Sequence, residues 1–373
     1  MEFELDPRGW AWWPEREDLS IEFTRLLGVA QEGGSTVAEC CLAARRIDPA
    51  NDHSWYGEWK RIADASRDRG DAARDRGHVS TARSNWLRAM GYYQSAAFPF
   101  DSDDEHHRAA IESMRRCARD YLQHRDPPGE VVMIPWSGGY PLEAYFLPAP
   151  HTAGRPAPTI ICIGEPGQRK EEFLYKVARH AADRGMSLLA VDLLGAGQGA
   201  EFGTIVGRPD LETTIGQIMD YLAGRDDVDR ARIVILADAW GSSFVARGIA
   251  FDDRFAAAVC DGGIWDLHER AFLMGRTPVE SELINRGLSR VARNIKCPVL
   301  ISIGERGWLT AEQVRVFYDQ LKANGRDVTL KVFMSDETAA TQGHIDNPTL
   351  ANEYIFDWIA ARLGLSGQRG AGA

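Results

Sequence analysis

The sequence predicts an α/β fold, in which an eight-stranded, mostly parallel sheet is flanked by helices and follows an N-terminal helical domain. Three observations predict it. From about residue 128 short apolar runs alternate with helical periodicity, the mark of a sheet wound with helices. Residues 1–127 instead carry helical periodicity with few β-branched runs. Between the two regimes stands Pro127-Pro128-Gly129, a strong punctuation of the backbone.

In chain order, the helical periodicity is clearest over Trp55 to Asp75, Val79 to Phe98 and Glu105 to His124. The strands fall at Val131 to Pro135, Leu142 to Leu147, Pro158 to Gly164, Met186 to Asp192, Arg232 to Leu236, Ala256 to Cys260, Pro298 to Ile303 and Val328 to Phe333. A hairpin through Ser137 to Tyr140 joins the first two. The stretch Trp265 to Arg293 holds no strand and follows the sixth, so it is expected to form a helical cap. The organisation is then a helical domain over 1–127, a first core segment over 128–264, a cap over 265–293, a second core segment over 294–365 and a frayed tail over 366–373.

Composition narrows the partners. The 373 residues exceed one typical core, which suits a main domain with an accessory one. A formal net charge of −11 argues against nucleic acid or an anionic membrane surface, both of which attract basic patches. No apolar run approaches the roughly 20 residues of a membrane span, and the acidic start Met1 to Asp6 lacks the regions of a signal peptide, so a cytoplasmic location is expected. The six cysteines show no metal-ligand spacing, and they are expected to be reduced and structural. No metal or cofactor is expected.

The most informative stretch is Ile233 to Gly248. An apolar β-branched run leads through a tight turn into a small-residue helix, which is the strand-turn-helix setting of a G-x-S-x-G nucleophile elbow. Its five positions read Ala237-Asp238-Ala239-Trp240-Gly241, so a methyl group stands where the reacting hydroxyl belongs. Either a hydrolase has been disabled or the scaffold does other chemistry.

With that elbow, several stretches from about Trp86 to Leu363 carry a family resemblance: Trp86 to Tyr93, Gly164 through Lys170-Glu171-Glu172, Asp192 to Gly199, Asp261-Gly262-Gly263 and Phe356 to Ile359. In their order and spacing the chain resembles the α/β-hydrolases with an N-terminal helical domain. That group includes fungal pigment polyketide-shortening hydrolases, 2,6-dihydroxypseudooxynicotine hydrolase and fermentation-respiration-switch proteins. The resemblance implies a small-molecule carbonyl substrate cleaved at an ester or C–C bond, in catabolism or polyketide biosynthesis. It also implies a homodimer built partly from the N-terminal helices.

The departures from the family pattern are as informative. The resemblance places the nucleophile at Ala239, the acid in a G-x-x-D turn that here reads Gly304-Glu305-Arg306-Gly307, and the catalytic histidine, anchored on Asn347, at Gln342. All three positions read as substituted. A serine exchanged for alanine to trap substrate would leave the acid and the histidine in place, which favours natural divergence. His344, two residues on, is the residue that a longer loop would return to the catalytic spot.

A pocket without the triad still has chemistry to offer. Backbone N–H groups at Trp240 and in the loop after Gly164 form a candidate oxyanion hole, which needs no serine. Glu165, Asp238, Glu305, Asp261 and His344 fall at strand ends on the carboxyl edge, where ligands bind in α/β sheets. Carboxylates crowded in a partly dry pocket raise a pKa and permit acid/base work. Trp265, just past Asp261-Gly262-Gly263, completes the candidate substrate-binding set with Trp240, Gly164 and Asp261.

Plainer readings stand beside these. Glu165 and Glu305 also suit helix caps or pairs with Arg169 and Arg306. Asp192 reads as a turn-fixing residue, and the run Gly195 to Gly199 as a turn without the spacing of a nucleotide loop. Asp261 either supplies an acid from its own strand or bonds nearby amides; Ser242 and Ser243 read as small residues opening a helix, with a displaced nucleophile as the alternative. The aromatic set Trp10, Trp12 and Trp13 reads as packing. Three functions follow in order: lyase, dehydratase or cyclase chemistry on a polyketide-like carbonyl compound; a serine C–C bond or ester hydrolase inactivated at residue 239; and a catalytically silent binding protein.

Overall fold

The computed structural model describes residues 12–136, 141–150, 152, 154–164, 168–192, 212–239, 241–263, 292–307 and 309–365. The chain divides into two units. One comprises the residues up to Glu130 with Glu171–Arg179 and Ile345–Thr349; the other comprises Val131–Lys170, His180–His344 and the residues from Leu350 onward.

The first unit is helical: α1 (Glu17–Gly28), α2 (Val37–Ala44), α3 (Asp52–Asp75), α4 (Val79–Ala97) and α5 (Glu105–Gln123). Side-chain caps start three of them. Thr36 accepts from the Glu39 N–H, Asn51 from that of His53 and Asp104 from that of His106, each satisfying an orphan donor of a first turn. Helical spacing on α3 brings Trp55, Trp59, Ile62 and Ser66 to one buried face. Trp55 and Trp59 are fully buried with Trp86, Phe23 and Tyr92. Trp13 lies edge-on to Phe23 and Trp55, at 5.4 and 5.6 Å between ring centroids, so it packs as the sequence suggests.

The second unit is built on an eight-stranded sheet: β1 (Glu130–Ile134), β2 (Leu142–Leu147), β3 (Ala157–Ile163), β4 (Ser187–Val191), β5 (Val228–Asp238), β6 (Ala257–Asp261), β7 (Val299–Gly304) and β8 (Val328–Phe333). Their spatial order is β1-β2-β4-β3-β5-β6-β7-β8. β2 runs antiparallel to β4, and the ladder from β4 through β8 is parallel. β3, β4, β6 and β7 are buried along their whole length, as the unbroken apolar runs demand of strands covered on both faces. α6 (Lys170–Lys176) belongs to the first unit from Glu171 onward; the helices of the second unit are α7 (Ala178–Asp183, from His180), α8 (Glu212–Ala223), α9 (Gly241–Phe251), α10 (Ala311–Ala323) and α11 (Pro348–Arg362, from Leu350).

The strands agree to within one residue at each end with those read from the sequence, except β5, which ends two residues later and begins four residues earlier, because its polar start, Asp229 to Arg232, is partly exposed and carries no apolar signal. The expected hairpin turn over 137–140 and nearly all of the expected cap lie outside the described residues, Ala292–Asn294 forming a 3-10 turn. None of the six cysteines forms a disulfide. Among the described residues no helix is long and apolar enough to cross a membrane, and no group of three His, Cys, Asp or Glu side chains is arranged to hold a metal ion.

Candidate active site

The parallel ladder brings the ends of β3 to β7 to one edge. Register places Asp238, Asp261 and Ser302 side by side on β5, β6 and β7. From Asp238 the chain turns through Ala239, at a φ of 41°, into α9 at Gly241. Two glycines make the turn possible. A methyl on Gly241 would lie 2.8 Å from the Gly164 carbonyl oxygen, and one on Gly262 would lie 2.9 Å from the Ala239 Cα. The elbow is therefore wedged between the backbone that follows β3 and the backbone that follows β6. Ala239 itself is buried.

The side chains around the elbow are polar and engaged. Gln168 Nε2 donates to Asp238 Oδ2 at 3.0 Å, while the same side chain covers Gly164, its Oε1 2.8 Å from where a methyl there would sit. Gln168 is a residue the sequence reading missed, since a lone glutamine in a loop carries no pattern. Ser242 is fully buried, and its hydroxyl donates to the carbonyl oxygen of Asp261 at 3.2 Å. This hydroxyl pins the first turn of α9 to β6, as a small residue opening a helix can do.

Across the elbow lies the loop between β8 and α11. His344 is buried, with Nε2 2.8 Å from Asp261 Oδ1 and Nδ1 2.5 Å from the Ala339 carbonyl oxygen. Ser302 Oγ donates to the same Asp261 oxygen at 2.9 Å. Both ring nitrogens thus face oxygen atoms, Nε2 a carboxylate and Nδ1 a backbone carbonyl. Gln342 reaches the backbone that borders the elbow: its Nε2 is 3.5 Å from the point a Gly262 methyl would occupy, and its Oε1 is 2.9 Å from the point a Gly307 methyl would occupy. Among the described residues only four non-glycine residues have positive φ: Ala239, Thr338, Ala339 and His344. One forms the elbow and three belong to this loop. Strained backbone of this kind, costing on the order of 1–3 kcal/mol per residue, clusters at functional sites.

On the other side, Lys170 is fully buried at the first residue of α6. Its Nζ lies 2.7 Å from Asp192 Oδ2 and 2.8 Å from Glu143 Oε1, above the Tyr145 ring at 4.7 Å. Its backbone N–H donates to Asp192 Oδ1 at 2.7 Å. Asp192 therefore fixes the start of a helix as well as the end of its own strand.

No family model matches the chain. It is 26% identical over 358 residues to the hydrolyase poxO of Penicillium oxalicum, covering 93% of this chain and 78% of that protein. To the 20-hydroxy-prefusarin hydrolase FUS2 of Gibberella moniliformis it is 28% identical over 282 residues, 73% of this chain and 65% of that one. The crystal structure of 2,6-dihydroxy-pseudo-oxynicotine hydrolase superposes with a TM-score of 0.68 at 20% identity, over 90% of this chain and 95% of that one. That superposition and the strand order decide the architecture. The chain has the α/β-hydrolase fold.

Within this α/β-hydrolase fold the candidate residues separate. Ala239, Asp238, Gly164, Asp261, Gln342 and His344 gather at the elbow and the strand ends beside it. Glu305 does not join them: its side chain is exposed, and its carboxylate accepts from the N–H and hydroxyl of Ser335 at 2.8 and 2.5 Å. Those donors hold its pKa below the ordinary carboxylate value, the opposite of what a pocket acid requires. The reason is geometric. The residue after β7 turns toward β8, where the Glu305 N–H donates to the Phe333 carbonyl oxygen. Glu165, Trp240 and Trp265 lie outside the described residues.

Proposed function

We propose that this chain is an enzyme that keeps the α/β-hydrolase elbow without its nucleophile and carries out acid/base chemistry of the lyase, dehydratase or cyclase type. Its substrate is a carbonyl-bearing, polyketide-like small molecule. The observation that carries the reading is Ala239 at a φ of 41°, wedged by Gly241 and Gly262 although it has no hydroxyl to present. An elbow in that shape turns backbone N–H groups toward a ligand oxygen whether or not a serine is present. In an elimination, a base removes the proton α to the carbonyl, the N–H groups hold the enolate oxygen, and the β-hydroxyl leaves with a proton as water. Glu165 is the candidate base. His344, with both nitrogens engaged by Asp261 and Ala339, is better placed to hold the loop than to abstract a proton. The name of the hydrolyase relative is in keeping with water elimination.

Turnover in H₂¹⁸O of a panel of aryl esters and β-hydroxy ketones, followed by mass spectrometry, tests the reading. Loss of water from a hydroxy ketone without ¹⁸O uptake supports it; a carboxylic acid carrying one ¹⁸O overturns it. Glu165→Gln is expected to slow the elimination by about 10²-fold or more. A second reading, a hydrolase disabled by alanine at 239, is favoured by the name of the 20-hydroxy-prefusarin hydrolase. It requires that a serine restored at 239 find a working base.

A further inference from the structure

We propose that the last turn of α1 is a bracket that sets the two loops of the site from a distance, with Arg25 and Gly28 as its positioning residues. Both residues act within the helical unit. The half-buried Arg25 guanidinium forks onto Glu22 at 2.6 and 2.7 Å, and Ser95 donates its hydroxyl to the same carboxylate. Its Nη1 then reaches the Tyr175 hydroxyl at 3.2 Å and Glu172 at 4.0 Å. One turn later, a methyl on Gly28 would lie 2.0 Å from the Ile345 carbonyl oxygen and 3.1 Å from Pro348 Cδ. A single helical turn therefore holds Glu172 and Tyr175 through Arg25 and the backbone at Ile345 through Gly28.

Those two segments are the continuations of the site loops. Glu172 comes two residues after Lys170, where the loop that follows β3 ends with its N–H on Asp192. Ile345 comes directly after His344, whose ring is fixed by Asp261. The helical unit claims only two pieces of later chain, Glu171–Arg179 and Ile345–Thr349, and each begins at the residue after a site anchor. Glu171 strengthens the first hold: it is fully buried, 3.9 Å from the Arg115 guanidinium. A loop fixed at both ends has fewer conformations to lose on binding. The bracket thus fixes the segments that directly follow Lys170 and His344, and its bearing on catalysis rests on the site reading above.

Amide hydrogen exchange on the full chain tests this without any substrate, so its failure is distinct from failure of the proposed chemistry. The reporters are the Lys170 and His344 N–H groups, bonded to Asp192 Oδ1 and the Thr341 carbonyl oxygen. In R25M and G28A both are expected to exchange at least about tenfold faster than in the wild type, through local opening. Trp86→Phe, a core change in α4 away from the bracket, is expected to leave both at the wild-type rate. If either large variant fails to fold, Ser95→Ala removes one Arg25 partner and is expected to give the same pattern at smaller size. Unchanged reporters in the bracket variants, or equal acceleration in W86F, would overturn the proposal.

Discussion

Two buried polar clusters flank the elbow, and they are built differently. Lys170 opens a regular helix and is gripped by Asp192, Glu143 and the Tyr145 ring. His344 is gripped by Asp261 and Ala339, but it sits in the left-handed region at a φ of 55° within a loop that holds two more such residues. The first cluster is an anchor without strain. The second holds a strained loop against the elbow, and strain persists only where surrounding contacts over-determine it. The difference teaches that one side of the elbow is held by an ion cluster at the start of a regular helix and the other by contacts that keep a strained loop in place.

The comparison breaks most readily at the anchor. Lys170→Met would remove the cation that bridges Asp192 and Glu143, and removing one partner of a buried ion cluster costs about 3–5 kcal/mol. Urea unfolding monitored by tryptophan fluorescence should show that loss as a lower midpoint; a change under about 1 kcal/mol would mean the cluster is not an anchor. His344→Asn is expected to cost less, about 1–3 kcal/mol, because it breaks charge-assisted hydrogen bonds while asparagine tolerates the left-handed backbone better than most residues. If H344N proves as damaging as K170M, the two sides do not differ in the way described.

Much of this was legible in the sequence, for physical reasons that also explain what was not. Buried strands need unbroken apolar runs, so all eight could be placed, and the elbow announced itself by the small residues at Gly241 and Ala239. Gln342 was legible only through its distance from Asn347. The choice between a catalytic and a plainer role for Glu305 was not legible, because position after a strand does not fix direction: its N–H bonds to Phe333 and its carboxylate to Ser335. Lys170 was visible as part of a motif but not as an ion-pair centre, since Glu143 and Asp192 lie far from it in sequence and only the β2–β4 pairing brings them together. The Arg25 and Gly28 bracket left no trace, because a glycine ending a helix reads first as a stop signal.

Glu305 sharpens the comparison at its exposed margin. Its depressed folded-state pKa means that its bonds to Ser335 favour the folded state above the ordinary carboxylate value and cease to do so as pH falls through the folded value. Glu305→Gln should therefore shift the melting temperature near pH 7 by no more than about 2 °C, with the difference from wild type vanishing in acid, and should leave turnover unchanged. A turnover loss approaching that of Glu165→Gln would return Glu305 to the site.

The most direct measurement is the reactivity of Ala239→Ser toward a fluorophosphonate probe, with aryl-ester turnover followed in parallel. With Gln342 beside the elbow and His344 held by Asp261 and Ala339, the new hydroxyl gains no base, and labelling should stay at the wild-type background. Rapid stoichiometric labelling with ester turnover would contradict the account and identify the chain as a serine hydrolase lacking only its serine.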